Sequence, residues 1–157
     1  MADAPAIEPG TPAPAFDLPR DGGGRLRLAD LTGRQVVLYF YPRDDTPGCT
    51  AEALAFSALA SAFDAAGATV LGVSRDPVSK HDRFREKHAL AVPLLSDEDA
   101  AVCAAYGVWV EKRMYGRTAM GVERTTFLIG PDATIRQVWR RVTVPGHAEA
   151  VLDAVRR

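Results

Sequence analysis

Hydrophobic positions along the chain alternate between short strand-like runs and longer helix-like segments. Residues 35–41 (QVVLYFY) and 68–74 (ATVLGVS) are mostly apolar and rich in β-branched or aromatic side chains, which is typical of strands covered on both faces in a parallel sheet. Between them, residues 49–66 are rich in alanine and leucine and are followed by Gly67, so we expect a helix that stops there. The pattern predicts a β-α-β unit.

Weaker patterns add elements around this unit. Residues 15–18 and 25–28 alternate around Asp21-Gly22-Gly23-Gly24, which predicts an N-terminal β-hairpin. Asp76-Pro77 predicts a helix start, with the aspartate as the cap and the proline as the first helical residue. A short strand is expected near residues 92–94.

The C-terminal part predicts two helices, a long loop and a second hairpin. Ser96 is expected to cap a helix that runs to residue 106, whereas residues 107–123 show no periodicity and predict a loop. Residues 124–129 and 135–139 predict strands joined by a short turn. A closing helix is predicted because four apolar residues fall on one of its faces: Ala148, Val151, Leu152 and Val155.

This order of elements predicts the α/β class, with a sandwich of the thioredoxin type in which helices flank a central mixed sheet. The length of 157 residues suits one domain, and an apolar fraction of 47% is enough for a core. We therefore expect a single domain over residues 1–157, with residues 1–7 as a flexible lead-in.

Charge and hydropathy exclude several classes of protein. With a net charge of -1, the chain lacks the excess of basic residues that is typical of nucleic-acid-binding proteins. No apolar run reaches the roughly 18 residues of a membrane span. The N-terminus has neither the basic residues nor the apolar stretch of a secretory signal, so a cytoplasmic location is expected.

The cysteines and histidines form no metal-binding pattern. Cys49 and Cys103 lie far apart in the sequence and are not spaced as zinc ligands, so neither a metal nor another cofactor is expected. His81, His88 and His147 have no cysteine or acid partner at catalytic spacing. We interpret all three as surface or helix-end residues, which gives little support to a cysteine-histidine hydrolase.

Cys49 stands where chemistry is expected, because a loop rich in proline and glycine joins a buried strand to its helix. Thr46-Pro47 is typical of a helix cap followed by the first helical residue, which puts Cys49 in the first turn. The unpaired N–H groups and the positive end of the helix dipole favour a thiolate there.

The segment YPRDDTPGCTAE resembles the peroxiredoxin active-site motif P-x-x-x-T-x-x-C, with Pro42, Thr46 and Cys49 at its fixed positions. The whole string is similar to the bacterioferritin-comigratory-protein, or peroxiredoxin Q, subfamily. The resemblance covers about residues 8–155. It extends to segments that keep the order and spacing of the family: GVSRD (72–76), LSD (95–97), YGVW (106–109) and GVERTTF (121–127).

The resemblance implies a thiol-dependent peroxidase. Cys49 is then the nucleophile, which attacks a peroxide and becomes a sulfenic acid. Thr46 is implied to hydrogen-bond the peroxide, and Pro42 to wall the pocket. Arg124 is implied to stabilise the thiolate and the leaving oxygen, and Glu52 to orient Arg124. A simple helix cap at Thr46, a strand terminator at Pro42, a solvated Arg124 and a first-turn acid at Glu52 remain open.

The chain departs from the family at the resolving cysteine. Many relatives carry it five residues after the first cysteine, where Leu54 stands here, and another branch places it within residues 81–87, which contain none. We therefore expect a one-cysteine mechanism with thioredoxin, glutaredoxin or a small thiol as reductant. A Cys49–Cys103 disulfide and a role for Cys103 as core filler both remain possible. The resemblance also implies a monomer.

Two other classes compete with a peroxidase. A thiol-disulfide oxidoreductase on the same fold predicts a C-x-x-C pair, but Thr46 occupies the place of its first cysteine. A non-enzymatic binding or holdase module has no need of the set Pro42, Thr46, Cys49 and Arg124. The sequence favours peroxide chemistry over both.

Overall fold

The computed structural model describes residues 7–157, which form nine strands and five α-helices within that range. The strands are β1 (Asp17–Pro19), β2 (Arg25–Arg27), β3 (Gln35–Phe40), β4 (Ala68–Ser74), β5 (Leu94–Ser96), β6 (Trp109–Met114), β7 (Arg117–Val122), β8 (Thr125–Ile129) and β9 (Ile135–Trp139). The helices are α1 (Pro47–Ala58), α2 (Ala60–Ala65), α3 (Val78–His88), α4 (Ala101–Ala105) and α5 (His147–Arg156).

A five-stranded mixed sheet in the order β5-β4-β3-β8-β9 is the centre of the fold. β3 is parallel to β4 and antiparallel to β8, so the apolar β3 lies in the middle of the sheet. β1 and β2 form the predicted antiparallel hairpin. These features confirm the predicted thioredoxin-type architecture.

The side chains of β3 alternate between two buried layers on opposite faces of the sheet. Val37 and Tyr39 face a layer that includes Cys49 and side chains of α1, α2, α3 and α5. Leu38 and Phe40 face a second layer, which includes side chains of β1 and α4. We call these the first layer and the second layer.

The segment predicted as a loop over residues 107–123 forms an additional hairpin that was not predicted, made of β6 and β7. Its strands pair with each other and are joined by a turn at Tyr115 and Gly116, and most of their side chains are exposed. Because Val122 alone among the described side chains of these two strands is buried, the sequence lacks the alternation of apolar and polar positions that marks a half-buried strand.

Three predicted helices have different bounds in the structure. The helix expected from Ser96 begins only at Ala101, because Ser96 belongs to β5. At the start of this helix, Asp97 accepts hydrogen bonds from the N–H groups of Val102 and Cys103. The helix predicted over residues 49–66 is divided into α1 and α2 at Leu59. α3 starts one residue later than predicted, with Pro77 as its cap.

The predicted flexible lead-in falls largely outside the described residues, since residues 1–6 are not among them. Ile7, the last residue of that lead-in, is buried in the second layer. The following segment is tied to the core as well, because Tyr106 Oη donates a hydrogen bond to the carbonyl oxygen of Pro14. Within residues 7–157, none of the helices has the length and apolar character that crossing a membrane requires.

Candidate active site

Cys49 is the third residue of α1 and lies in the first turn, as predicted. The loop of residues 41–46 carries the chain from the end of β3 to this helix. Cys49 is only 2% exposed and packs in the first layer beside Tyr39 and Tyr41. The N–H groups of a first helical turn have no partner within the helix, so they favour a negative charge close to them.

Arg124 contacts both Cys49 and Glu52. It directly precedes β8, which pairs with β3. Its Nη2 donates to Cys49 Sγ at 3.4 Å, and its Nη1 donates to Glu52 Oε1 at 2.7 Å. Burial lowers the pKa of Arg124, but Glu52 and Cys49 outweigh it, so the pKa is raised. A guanidinium in contact with sulfur favours the thiolate over the thiol.

Glu52 is fully enclosed in the protein. It lies one turn after Cys49 on α1 and is 1% exposed. Burial raises the pKa of Glu52 to about 7, although the Arg124 guanidinium opposes this change. Among the described residues, Oε2 has no hydrogen-bond partner. The pair with Arg124 is therefore the one polar contact that orients this carboxyl group within the described part of the chain.

Gly48 makes room for the guanidinium. A Cβ added at Gly48 would lie 3.1 Å from Arg124 Nη2, which is closer than most carbon-nitrogen contacts between side chains. The absence of a side chain at Gly48 thus lets Arg124 approach the start of α1.

Thr46 and Pro42 lie on the loop before Cys49. Thr46 occupies the predicted cap position of α1, but its hydroxyl makes no capping hydrogen bond. Instead, Thr46 Oγ1 donates to the carbonyl oxygen of Arg43 at 2.9 Å. Pro42 is half-buried and follows Tyr41. Among the described residues, neither Thr46 nor Pro42 has a hydrogen bond to Cys49.

Lys112 is a second cation beside the site, and it was not predicted from the sequence. Its Nζ donates to the carbonyl oxygen of Val122, two residues before Arg124. Gly121 permits this approach, since a Cβ there would lie 2.9 Å from Lys112 Cδ. Burial and then Arg124 lower the pKa of Lys112, while Glu123 and Cys49 act in the opposite direction. The residue could not be found because its segment was predicted to be a loop.

The prediction that the histidines lie on the surface or at helix ends is wrong for His81. His81 is fully buried within α3, where it pairs with Asp44. An acid 37 positions away in the sequence gave no local signal of this contact.

The other two histidines lie at helix ends, as predicted. His88 ends α3 and pairs with Asp45, a partner that the sequence did not indicate. His147 starts α5, but it is buried and lies 2.8 Å from Thr126 Oγ1. Burial, with a smaller contribution from Arg124, lowers the pKa of His147 to about 4.

Cys103 lies away from these residues. It belongs to α4, is fully buried in the second layer, and is separated from Cys49 by the central sheet. Burial raises the pKa of the Cys103 thiol, and Asp97 raises it further. Cys103 is therefore a poor nucleophile in this structure. Within residues 7–157, no group of three histidine, cysteine or acidic side chains is arranged to hold a metal ion.

The chain is similar to proteins of one family over most of its length. The AhpC/TSA family model matches residues 9–138. Peroxiredoxin Bcp of Xanthomonas campestris is 52% identical over 147 residues, which cover 92% of this chain and 92% of that protein. Peroxiredoxin Bcp of Escherichia coli is 41% identical over 147 residues, which cover 94% of each chain.

Solved structures agree with this similarity. A structure of Xanthomonas campestris peroxiredoxin Q matches with a TM-score of 0.87 at 48% identity, covering 98% of this chain and 97% of that one. A structure of peroxidoxin BcpB from Mycobacterium tuberculosis matches with a TM-score of 0.85 at 38% identity, covering 96% and 97% of the two chains.

Replacing Arg124 should make the Cys49 sulfur less reactive. In Arg124→Ala, we expect alkylation of Cys49 by iodoacetamide at pH 7 to slow about tenfold, because a cation in contact with the sulfur is lost. Mass spectrometry of the Cys49 peptide measures this rate. Arg117→Ala is the control, since Arg117 is an exposed arginine of the β6–β7 hairpin. An unchanged rate in Arg124→Ala would contradict the electrostatic role.

Glu52 should make stability depend on pH. Because burial raises its pKa from 4.5 to about 7, the folded state holds this proton more tightly than the unfolded chain. Its contribution is complete below pH 4.5 and is lost as the pH rises through about 7, which amounts to about 3 kcal/mol. Urea unfolding at a series of pH values should show this loss in the parent chain but not in Glu52→Gln.

Glu86→Gln is the control for that experiment, because Glu86 is an exposed glutamate of α3. Its stability curve should run parallel to that of the parent chain. Parallel curves for the parent and Glu52→Gln would show instead that burial of Glu52 does not favour its proton.

Proposed function

Because the chain belongs to the AhpC/TSA family and, within it, to the Bcp or peroxiredoxin Q peroxiredoxins, we propose that Cys49 is the nucleophile of a one-cysteine peroxidase. Membership of this family makes the chain a thiol-dependent peroxidase that acts on a peroxide and is regenerated by a thiol. The observation that carries our proposal is the contact of Arg124 Nη2 with Cys49 Sγ at 3.4 Å.

The proposed reaction begins with an in-line displacement at oxygen. The Cys49 thiolate attacks one peroxide oxygen, an S–O bond forms and the O–O bond breaks. The electron pair of the broken bond leaves on the other oxygen, which takes up a proton to give water or an alcohol. Arg124 supports this step because its guanidinium favours the thiolate and stays next to the charge as it moves to the leaving oxygen.

Thr46 and Pro42 are proposed to complete the site. The Thr46 hydroxyl, which now donates to Arg43, lies three residues before Cys49 and can rotate to hydrogen-bond a bound peroxide. Pro42 is half-buried in the same loop, where it can limit the space around the sulfenic acid. We assign Glu52 to hold Arg124 in place through its 2.7 Å contact.

The positions of the two cysteines support a one-cysteine route. A disulfide requires the two Cα atoms to lie within about 7 Å, whereas Cys49 and Cys103 belong to layers on opposite faces of the sheet. The high pKa of the Cys103 thiol also makes it a slow partner. We therefore propose that an external thiol attacks the sulfenic acid of Cys49 and releases water. A second thiol then frees Cys49 and leaves as part of a disulfide.

The proposed substrates are hydrogen peroxide and alkyl hydroperoxides, and the proposed form is a monomer with one domain. A structural study of Xanthomonas campestris bacterioferritin comigratory protein concerns its alkyl peroxide reduction activity. The similarity of that protein to this chain supports an alkyl substrate here. Thioredoxin, glutaredoxin and small thiols all supply the two thiols that the cycle consumes.

Serine substitutions separate the roles of the two cysteines. Cys49→Ser should abolish peroxide consumption, because a hydroxyl at this position is not ionised at neutral pH. Cys103→Ser should keep most of the activity, since its side chain is core filler in the proposal. Activity is measured as peroxide consumed with dithiothreitol as reductant. Substantial activity in Cys49→Ser would overturn the proposed nucleophile.

Peptide mapping of the oxidised protein tests the one-cysteine route. After one equivalent of hydrogen peroxide, we expect a sulfenic acid on Cys49 that a dimedone probe captures, with Cys103 still reduced. A disulfide that links the Cys49 and Cys103 peptides would show that the chain uses both thiols. The Cys103→Ser variant is the control, because it can form only the first product.

A further inference from the structure

A buried hydrogen-bond network outside the proposed reaction holds the loop before Cys49. Asp44 lies in this loop and His81 lies on α3, and both are buried. His81 Nδ1 is 2.6 Å from Asp44 Oδ2, and Nε2 is 2.9 Å from the carbonyl oxygen of Leu95. A carboxylate and a carbonyl both accept, so each ring nitrogen donates a proton and the imidazole is a cation.

Asp44 joins three parts of the fold through its polar groups. Tyr41 Oη, at the start of the same loop, donates to Asp44 Oδ1 at 2.5 Å. The backbone N–H of Asp44 donates to Asp76 Oδ2 at 2.8 Å, and Ser74 Oγ donates to the same oxygen at 2.7 Å. Together with His81, these contacts tie the loop to α3 and to the end of β4 with the segment after it.

The next residue gives the loop a left-handed turn. Asp45 has a φ of 59°, a value that most residues with a side chain avoid but that aspartate adopts more readily. Its carboxylate accepts from Lys87 Nζ at 2.7 Å and from His88 Nε2 at 3.0 Å. These contacts help to fix the turn. Thr46, at the cap position of α1, follows directly.

We propose that His81 is a positioning residue for the Cys49 site: its cation holds Asp44, and through Asp44 it fixes the loop that sets Thr46 and the start of α1. The inference rests on the proposed role of Cys49. The groups that face His81 are Asp44 from the loop, Leu95 from β5 and Asp76 from the segment between β4 and α3.

The surroundings of His81 keep it charged. Burial lowers the pKa of His81, but Asp44, the Leu95 carbonyl and Asp76 outweigh it, so the pKa is raised. The pair has no access to water, since Asp44 and His81 side chains are 2% and 0% exposed. Removal of either partner would leave a buried charge without compensation, so the loop would have to move or take up water.

His81→Gln is the first test, with Glu86→Gln as the control on the same helix. Glu86 is exposed on α3, so its substitution leaves the contacts of the loop in place. Stopped-flow tryptophan fluorescence follows the peroxide step, and a separate trace with dithiothreitol follows reduction of the sulfenic acid. Circular dichroism shows that each variant is folded at the temperature used.

We expect His81→Gln to slow the peroxide step about tenfold or more, because a small displacement of reacting groups is costly. Its reduction step should stay within about twofold of the parent, and Glu86→Gln should leave both steps within the same limit. A folded His81→Gln variant with the parent rate constant for peroxide would overturn the proposal. An equal decrease in the rate constants of both steps would also overturn it, because a smaller folded fraction slows both steps alike.

Asp44→Asn gives the test a second variant if His81→Gln does not fold. It removes the carboxylate that the His81 cation needs and keeps the shape of the side chain. We expect the same selective loss in the peroxide step, and a double variant no slower than the slower single variant. Additive losses would refute coupling through the pair. Failure of this inference is distinct from failure of the proposed function, which the Cys49→Ser variant tests independently.

Discussion

The guanidinium of Arg124, placed between a sulfur and a carboxyl group, is the contact on which the rest of the site depends. Cys49 is almost completely buried, and burial alone disfavours a charged sulfur. The first turn of α1 and Arg124 act against that penalty. Because burial raises the pKa of Glu52 to about 7, part of Glu52 is protonated near neutral pH. Glu52 then neutralises less of the positive charge of Arg124, which acts more strongly on the sulfur.

The sheet explains why one thiol is suited to chemistry and the other is not. Cys49 and Cys103 are both buried, so exposure does not distinguish them. Cys49 contacts a cation at a helix start, whereas Cys103 lies in the second layer near the carboxylate of Asp97. An anionic neighbour and an apolar layer keep a thiol protonated. The same sheet also separates the two sulfurs, which favours an external reductant.

Most of the fold and the local part of the site could be predicted from the sequence. Periodicity predicted the central strands, and Thr46-Pro47 predicted the start of the Cys49 helix, because these signals lie within a few residues. Contacts between distant segments left no such signal: the pairs of His81 with Asp44 and of Lys112 with the Val122 carbonyl exist only after folding. The β6–β7 hairpin was missed because its exposed strands bury no periodic face.

The most direct test is the ultraviolet absorbance of the Cys49 thiolate at neutral pH, in a Cys103→Ser background where no other thiol contributes. We expect a thiolate signal that disappears when a single equivalent of peroxide is added and is greatly reduced when Arg124 is replaced by methionine. A chain that consumes peroxide yet shows no thiolate absorbance with Arg124 intact would contradict the central claim that a guanidinium holds this buried sulfur as an anion.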